Sequence, residues 1–197
     1  MQTEIAQLCE DLAELFAAEG RPGGVEVADA LRDRRLKAHQ KPGTSTSLDA
    51  EIVDLLSTTE ALPAAGSALA VMTALPWHYS GYHDGRIRAE VALSMATCEI
   101  LGPTGLIHCD SCKVGLFAQA ARHDYPARNH AAEETFIMIA GRAEWQCDPG
   151  NWMEQGPGAI LHHPSMAPHR SRTAESGLVA AWRWTGDIGT GSYALLE

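Results

Sequence analysis

The sequence predicts a mainly β fold, a barrel or sandwich, preceded by a helical N-terminal third. Three observations carry that prediction. Apolar residues recur at three- and four-residue intervals only up to about residue 75. Beyond Trp77 they fall in short runs, and turn signals break those runs roughly every 8–12 residues. In the first part, Ile5, Leu8, Leu12, Leu15 and Phe16 make one face of a helix, which Gly20 ends. Arg21-Pro-Gly-Gly24 reads as a turn, a second helix runs from Val25 to about His39, and residues 41–47 form a polar loop closing on N-cap residues. Leu48, Ile52, Leu55 and Leu56 are the stripe of a third, short helix. The Ala-rich stretch 63–76 suits helix and buried coil equally. Strands are expected over 87–101, 114–120, 135–139, 143–147, 159–163, 169–172 and 178–184. Ala140-Gly141-Arg142 is expected to close a tight hairpin, with further turns at Pro149-Gly150 and Gly156-Pro-Gly158. Residues 1–76 are thus a helical extension and 77–197 a β-barrel, the two forming one integrated domain.

Composition narrows the function. The chain has 197 residues, 45% of them hydrophobic and 20% charged, which suits a single globular domain with a real core. Its formal net charge of −10 lacks the basic footprint that nucleic-acid recognition needs. No apolar run approaches the roughly 18 residues of a membrane helix. The opening Met1–Glu10 has neither a basic nor an apolar leader region, so no signal peptide is expected. Five cysteines at scattered spacings suit reduced thiols and a cytoplasmic location. The unusual count is histidine, nine in all. Histidine is both a common metal ligand and an acid–base group.

Two of the nine sit in a telling pattern. His130-Ala-Ala-Glu-Glu134 is followed after six residues by Gly141, and Gly158 is followed after five by Pro164-Ser-Met-Ala-Pro-His169. Residues an even number apart in a strand share a face, so His130 and Glu134 can both aim into a barrel if that segment is extended. His169, from a strand two connections later, would meet them across the interior. Two imidazoles and a carboxylate make a triad suited to one divalent transition metal: iron(II), zinc or manganese.

These spacings resemble the two motifs of the cupin superfamily, G-x5-H-x-H-x3–4-E-x6-G and G-x5-P-x-G-x2-H-x3-N, which implies a jelly-roll barrel (a double-stranded β-helix). Three positions depart from them. Arg128 stands for the first histidine of the pair, Met166 for the second motif's glycine and Thr173 for the final asparagine. Arg128 puts a guanidinium beside the site, where it can pair with an anionic group of a substrate.

The surrounding letters are similar to a narrower family, the cupin-type dimethylsulfoniopropionate lyases of the DddQ-like kind. The segment Asp124-Tyr-Pro-Ala-Arg-Asn-His-Ala-Ala-Glu-Glu-Thr-Phe136 looks like that family's first motif. The helical extension, Gly115-Leu-Phe-Ala-Gln-Ala, His163-Pro-Ser and Trp182-Arg-Trp-Thr-Gly-Asp187 are also similar. The resemblance implies His130, Glu134 and His169 as metal ligands, Tyr125 as catalytic base and Trp184 as a wall of the substrate pocket. It also implies a second tyrosine two residues after the glutamate, where this chain has Phe136, whose ring can neither coordinate nor carry a proton.

The implied reaction is a β-elimination giving dimethyl sulfide and acrylate. It requires a Lewis acid to draw charge from the substrate carboxylate and a base for the adjacent proton. A phenol ordinarily keeps its proton to about pH 10, so a base of that type needs positive charge nearby. The sulfonium leaving group favours an aromatic wall, for which Trp184 and Phe136 are candidates beside Trp182, Trp77, Tyr79 and Tyr82. His162 and His163 are adjacent in a strand and face opposite ways, so at most one joins the site, as a supporting or rim residue. His108-Cys-Asp-Ser-Cys112 holds a C-x2-C without a partner pair, which argues against a structural zinc site. His78 and His83 suit a loop at the barrel mouth. Two further readings stay open: another metal enzyme of small acids (isomerase, decarboxylase or dioxygenase), and a ligand-binding cupin without turnover. The expected partner is a small molecule, with no nucleic acid and no membrane. The N-terminal helices serve either a homodimer or the closure of one barrel end.

Overall fold

The computed structural model describes residues 2–33, 43–79, 87–147 and 150–196. Its helices are α1 (Gln2–Ala18), α2 (Pro22–Arg32), α3 (Asp49–Leu56), α4 (Ala64–Ala70) and α5 (Ala89–Ala92). The strands are β1 (His78–Tyr79), β2 (Met95–Gly102), β3 (Ile107–His108), β4 (Lys113–Gln119), β5 (Asp124–Asn129), β6 (Ala132–Gly141), β7 (Ala143–Cys147), β8 (Met153–Gln155), β9 (Ile160–His163), β10 (His169–Arg172), β11 (Leu178–Gly186) and β12 (Ala194–Leu195). Among these helices none is long and apolar enough to cross a membrane.

Gly20 ends α1 as expected, with φ of +73°. The second helix differs from expectation at its start. Proline fits the first helical turn, where no N–H is needed, so α2 begins at Pro22. Gly23 and Gly24 lie inside it because neighbours approach closely: an added Cβ would lie 2.6 Å from Arg183 Nη1 and 2.4 Å from the Phe16 carbonyl oxygen. The helix stops at Arg32; residues 34–39 of the expected second helix lie outside the described residues. The ambiguous Ala-rich stretch is α4 followed by a 3-10 turn at Met72–Ala74. The expected strand over 87–101 is also divided. Ile87, Val91 and Met95 recur every four residues, a helical period, and α5 precedes a strand that starts only at Met95.

The strands form two sheets. The larger has the order β1-β2-β4-β11-β6-β9 with β3 paired to β2, and the smaller the order β12-β5-β10-β7-β8. This is the cupin-type barrel that the motifs implied. Gly141 does not close a hairpin, because β6 and β7 belong to different sheets. It turns the chain from one sheet into the other with φ of +76°, and a Cβ there would stand 2.0 Å from the Gly177 carbonyl oxygen.

Two apolar layers follow from strand alternation. On β6, Ile137 and Ile139 face the helices, meeting a core built on Leu8, Leu12, Phe16, Val27 and Ile52. Phe136 and Met138 face the barrel interior with Phe117, Tyr125, Trp145 and Leu161. The large sheet is thus covered on both faces, which is why its strands read as nearly continuous apolar runs. One charged contact ties the helical layer down. Arg183, fully buried on β11, donates from Nε and Nη2 to the two carboxylate oxygens of Glu19 at 2.7 and 2.5 Å.

Candidate metal centre and active site

Strand register assembles the site. On the large sheet Trp184 of β11 lies opposite Glu134 of β6, and Glu134 lies opposite His163 of β9. Cross-strand partners share a face, so all three side chains enter the barrel from one wall. On the facing sheet His169 of β10 lies opposite Arg128 of β5. His130 is not in a strand with Glu134: β5 ends at Asn129 and β6 begins at Ala132, so His130 sits at the crossing between sheets. It still aims inward. Strands β7, β8 and β9 separate β6 from β10, so His169 arrives four connections after Glu134 rather than two.

His130, Glu134 and His169 are buried, and each offers a ligand atom within 4.8 Å of the others. Three imidazole nitrogens face one carboxylate oxygen, Glu134 Oε2: His130 Nε2 at 3.3 Å, His169 Nε2 at 3.1 Å and His163 Nδ1 at 3.4 Å. The other oxygen, Oε1, accepts a hydrogen bond from Trp184 Nε1 at 2.6 Å. The outer nitrogens decide the tautomers. His130 Nδ1 lies 3.0 Å from the Ala132 carbonyl oxygen, and His169 Nδ1 lies 2.9 Å from that of Ala167. Each Nδ1 therefore carries a proton, and His130 Nε2 lies within hydrogen-bond reach of Glu134 Oε2 at 3.3 Å.

Burial, helped by the charge of Arg128, lowers the His169 pKa to about 3, and burial also lowers that of His163. Burial pushes the Glu134 carboxyl up, but the His130, His163 and His169 imidazoles around it outweigh burial and hold it well below the usual carboxylate range. The result is a buried, ionised carboxylate beside the uncharged His163 and His169 rings, a place that a cation would satisfy. Among the described residues, His169 Nε2 and both nitrogens of His163 have no hydrogen-bond partner. The donor set fits a divalent transition metal.

The remaining candidates line the same cavity, about 220 Å³, below the roughly 300–1,000 Å³ of sites for drug-sized ligands. Tyr125, Arg128, Phe136, Trp182 and Trp184 all face it. The Arg128 guanidinium lies 3.6 Å from the centre of the Tyr125 ring, and the residue is 2% exposed; Nη1 reaches the His169 carbonyl oxygen at 3.5 Å, and among the described residues Nη2 has no hydrogen-bond partner. The Trp184 ring is already engaged by His130, with centroids 4.4 Å apart, and by Lys113 Nζ at 5.2 Å. Phe136 packs against Phe117, Trp145 and His163. Trp77 is buried in the helix-facing core, and Tyr79 pairs with Ser47 outside the cavity. His78 does reach the cavity. Tyr82 and His83 lie outside the described residues.

Sequence reasoning left one group at the site undecided, the choice between His162 and His163, and missed another. His163 faces inward while His162 turns outward to Thr135 Oγ1 at 3.2 Å, so strand alternation was the available signal and the register of β9 decided it. Tyr193, from the turn before β12, meets the Tyr125 hydroxyl at 2.6 Å. Burial foremost, then the neighbouring Tyr125, raises the Tyr193 pKa well above the usual tyrosine value. No spacing pattern links a C-terminal residue to a strand 68 positions earlier.

Comparison with known proteins places these features in context. The sequence pattern of the dimethylsulfoniopropionate lyases matches residues 25–180. The chain is 31% identical over 109 residues to dimethylsulfoniopropionate lyase DddQ of Ruegeria pomeroyi, covering 55% of this chain and 54% of that one. It is 31% identical over 119 residues to a DddL protein of Cereibacter sphaeroides, covering 57% of this chain and 46% of that one. These alignments span about half the length of the curated relatives. The crystal structure of the Ruegeria pomeroyi lyase DddQ superposes with a TM-score of 0.77 at 25% identity, covering 99% of this chain and 97% of that one.

Proposed function

Because this chain belongs to the dimethylsulfoniopropionate lyase family, we propose that it cleaves dimethylsulfoniopropionate into dimethyl sulfide and acrylate by β-elimination. One observation carries the reading: a phenol, Tyr125, lines the same small cavity as His130 and Glu134 of the cluster His130, Glu134 and His169. These three residues would hold the metal, which supplies a Lewis acid for the substrate carboxylate and makes its neighbouring C–H more acidic. Zinc, iron and manganese all suit this donor set.

Tyr125 takes the proton next to the carboxylate. The electron pair of that C–H bond becomes the new C=C bond, the C–S bond breaks with its pair going to sulfur, and dimethyl sulfide leaves. Arg128 stacks on the Tyr125 ring and sets a positive charge beside the base. Once Tyr125 has given up its proton, Tyr193, which holds its own, is the donor of the hydrogen bond between the two hydroxyls. The unpaired Arg128 Nη2 also suits an anionic substrate group. Trp184, Phe136 and their aromatic neighbours offer the sulfonium an aromatic wall. The core shared by α1 and the large sheet supports reading residues 1–76 and 77–197 as one integrated domain.

The test is dimethyl sulfide in the headspace above the full chain loaded with zinc, iron or manganese. The metal-loaded protein is expected to release it. Tyr125→Phe should lower the rate by about 10²–10⁴-fold while metal content stays the same. A metal-loaded sample that releases no dimethyl sulfide refutes the lyase reading. Phe136, with no hydroxyl where the resemblance puts a tyrosine, favours the second reading, a metal enzyme acting on another small acid. Turnover of such an acid with a silent headspace would establish it.

A further inference from the structure

Cys109 and Cys112 form a pair that neither the metal cluster nor its cavity uses. They bracket the turn from β3 to β4, and their sulfurs lie 3.7 Å apart. A disulfide bond of about 2.05 Å needs an approach of only about 1.7 Å more. The turn is anchored on both sides: the Cys109 N–H donates to the Gly102 carbonyl oxygen at 3.1 Å, and Cys112 packs into the helix-facing core. The two thiols differ in access. Cys109 is partly exposed, next to the exposed side chains of His108 and Asp110, whereas Cys112 is fully buried.

They differ in acidity in the same sense. Burial pushes the Cys109 thiol up, but the Ser111 hydroxyl and the backbone N–H groups of Ser111 and Cys112 outweigh it and hold the thiol below its ordinary value. Burial and the neighbouring Cys109 push Cys112 up to about 12. Burial also raises Cys9 to about 11 and Cys98 to about 12, and the Cys147 thiol is raised as well. Cys109 is thus the one cysteine of the five that is both accessible and held low. A metal does not explain the pair. Among the described residues, the group of His, Cys, Asp and Glu close enough to hold an ion is the one in the barrel, and His108 and Asp110 complete no such group with the two sulfurs.

We propose that Cys109 and Cys112 are a thiol–disulfide exchange site for small organic disulfides of the glutathione class, with Cys109 the attacking thiol and Cys112 the resolving one. The Cys109 thiolate attacks one sulfur of the small disulfide. A bond forms to Cys109 Sγ, the small S–S bond breaks, and its electron pair leaves on the first small thiolate, which takes a proton from water. Cys112 then gives its proton to water and attacks Cys109 Sγ, expelling the second small thiolate, which is protonated in turn. The protein pair is oxidised by two electrons and ends joined, and the small disulfide is reduced to two thiols. Partial cover of Cys109 in its turn suits a small disulfide. The site is independent of the metal and of the substrate in the barrel.

The test uses the full chain, equilibrated with glutathione disulfide and then unfolded for alkylation of its free thiols, with peptide mass spectrometry placing the bonds. Wild-type protein should lose two of its five thiols to a bond between Cys109 and Cys112, and dithiothreitol should restore both. Cys112→Ser and Cys112→Ala should instead hold one glutathione on Cys109. Cys109→Ser should react at least about tenfold more slowly than either, because the thiols that remain keep their protons. Five free thiols in the treated wild type, or glutathione that stays on Cys109 without closing the bond, would overturn the proposal. So would an adduct on Cys112 of Cys109→Ser that builds up as fast as the one on Cys109 of the Cys112 variants. If neither Cys112 variant folds, the thiol count and bond position in the wild type decide alone.

Discussion

Glu134 concentrates the chemistry of the site in one side chain. Its Oε2 faces three imidazoles and its Oε1 is gripped by the Trp184 indole N–H, so each oxygen has a separate task. Trp184→Phe keeps an aromatic ring and removes only that donor. It should weaken metal uptake by about 10–100-fold with little change in circular dichroism, since residues that orient ligands carry effects of that size. Equal metal affinity in the variant would show that the indole does not orient Glu134. The cluster of His130, Glu134 and His169 was legible in the sequence through short motif spacings, although His130 sits at the crossing between β5 and β6 and not in a strand with Glu134. The indole contact was not, because it depends on the pairing of β11 with β6, 50 positions away.

At the scale of elements, the loop between β9 and β10 sets where His169 begins. Met166 in that loop has φ of +63°, a left-handed conformation that costs a residue with a Cβ roughly 1–2 kcal/mol. The second cupin motif has glycine there, and the backbone keeps the glycine conformation without the glycine. Its N–H donates to the His130 carbonyl oxygen at 2.8 Å, tying the loop to the crossing that carries His130. Met166 is 50% exposed, so its side chain gives little back. Met166→Gly should therefore stabilise the protein by about 1 kcal/mol, read as a higher midpoint in chemical denaturation. A lower midpoint would mean that the methionine side chain contributes more than its backbone strain costs. Element boundaries show the same division of information. The strand at Ala143–Cys147 was readable to the residue from local alternation. That β6 and β7 part into different sheets at Gly141 was not, since a glycine turn looks alike at a hairpin and at a barrel corner.

The whole molecule is organised around two apolar layers on either side of one sheet, and the site lies in the inner one. Burying imidazoles there has a consequence for stability. His169, His163 and His162 are all held below the ordinary histidine value of 6.5, foremost by burial, and His169 reaches about 3. Below pH 6.5 the unfolded chain takes up protons that the native protein refuses, so each step down in pH favours unfolding. For His169 the loss runs from about pH 6.5 down to about 3. In metal-free protein the denaturation midpoint should stay level above pH 7 and fall already between pH 6.5 and 5, before carboxylates titrate near 4. A midpoint constant from pH 7 to 5 would contradict neutral burial of these rings.

By itself the sequence determined the helical first third, most of the strands and the three residues of the candidate metal cluster. Each of these is written in local periodicity or in short, fixed spacings. Only the tertiary structure decided that Gly23 and Gly24 serve close packing within α2, that His163 faces Glu134, and that Tyr193 reaches Tyr125. Those facts come from register between strands and from a C-terminal turn folding over the barrel. Contacts of that kind join residues far apart in the chain, and no local pattern encodes them.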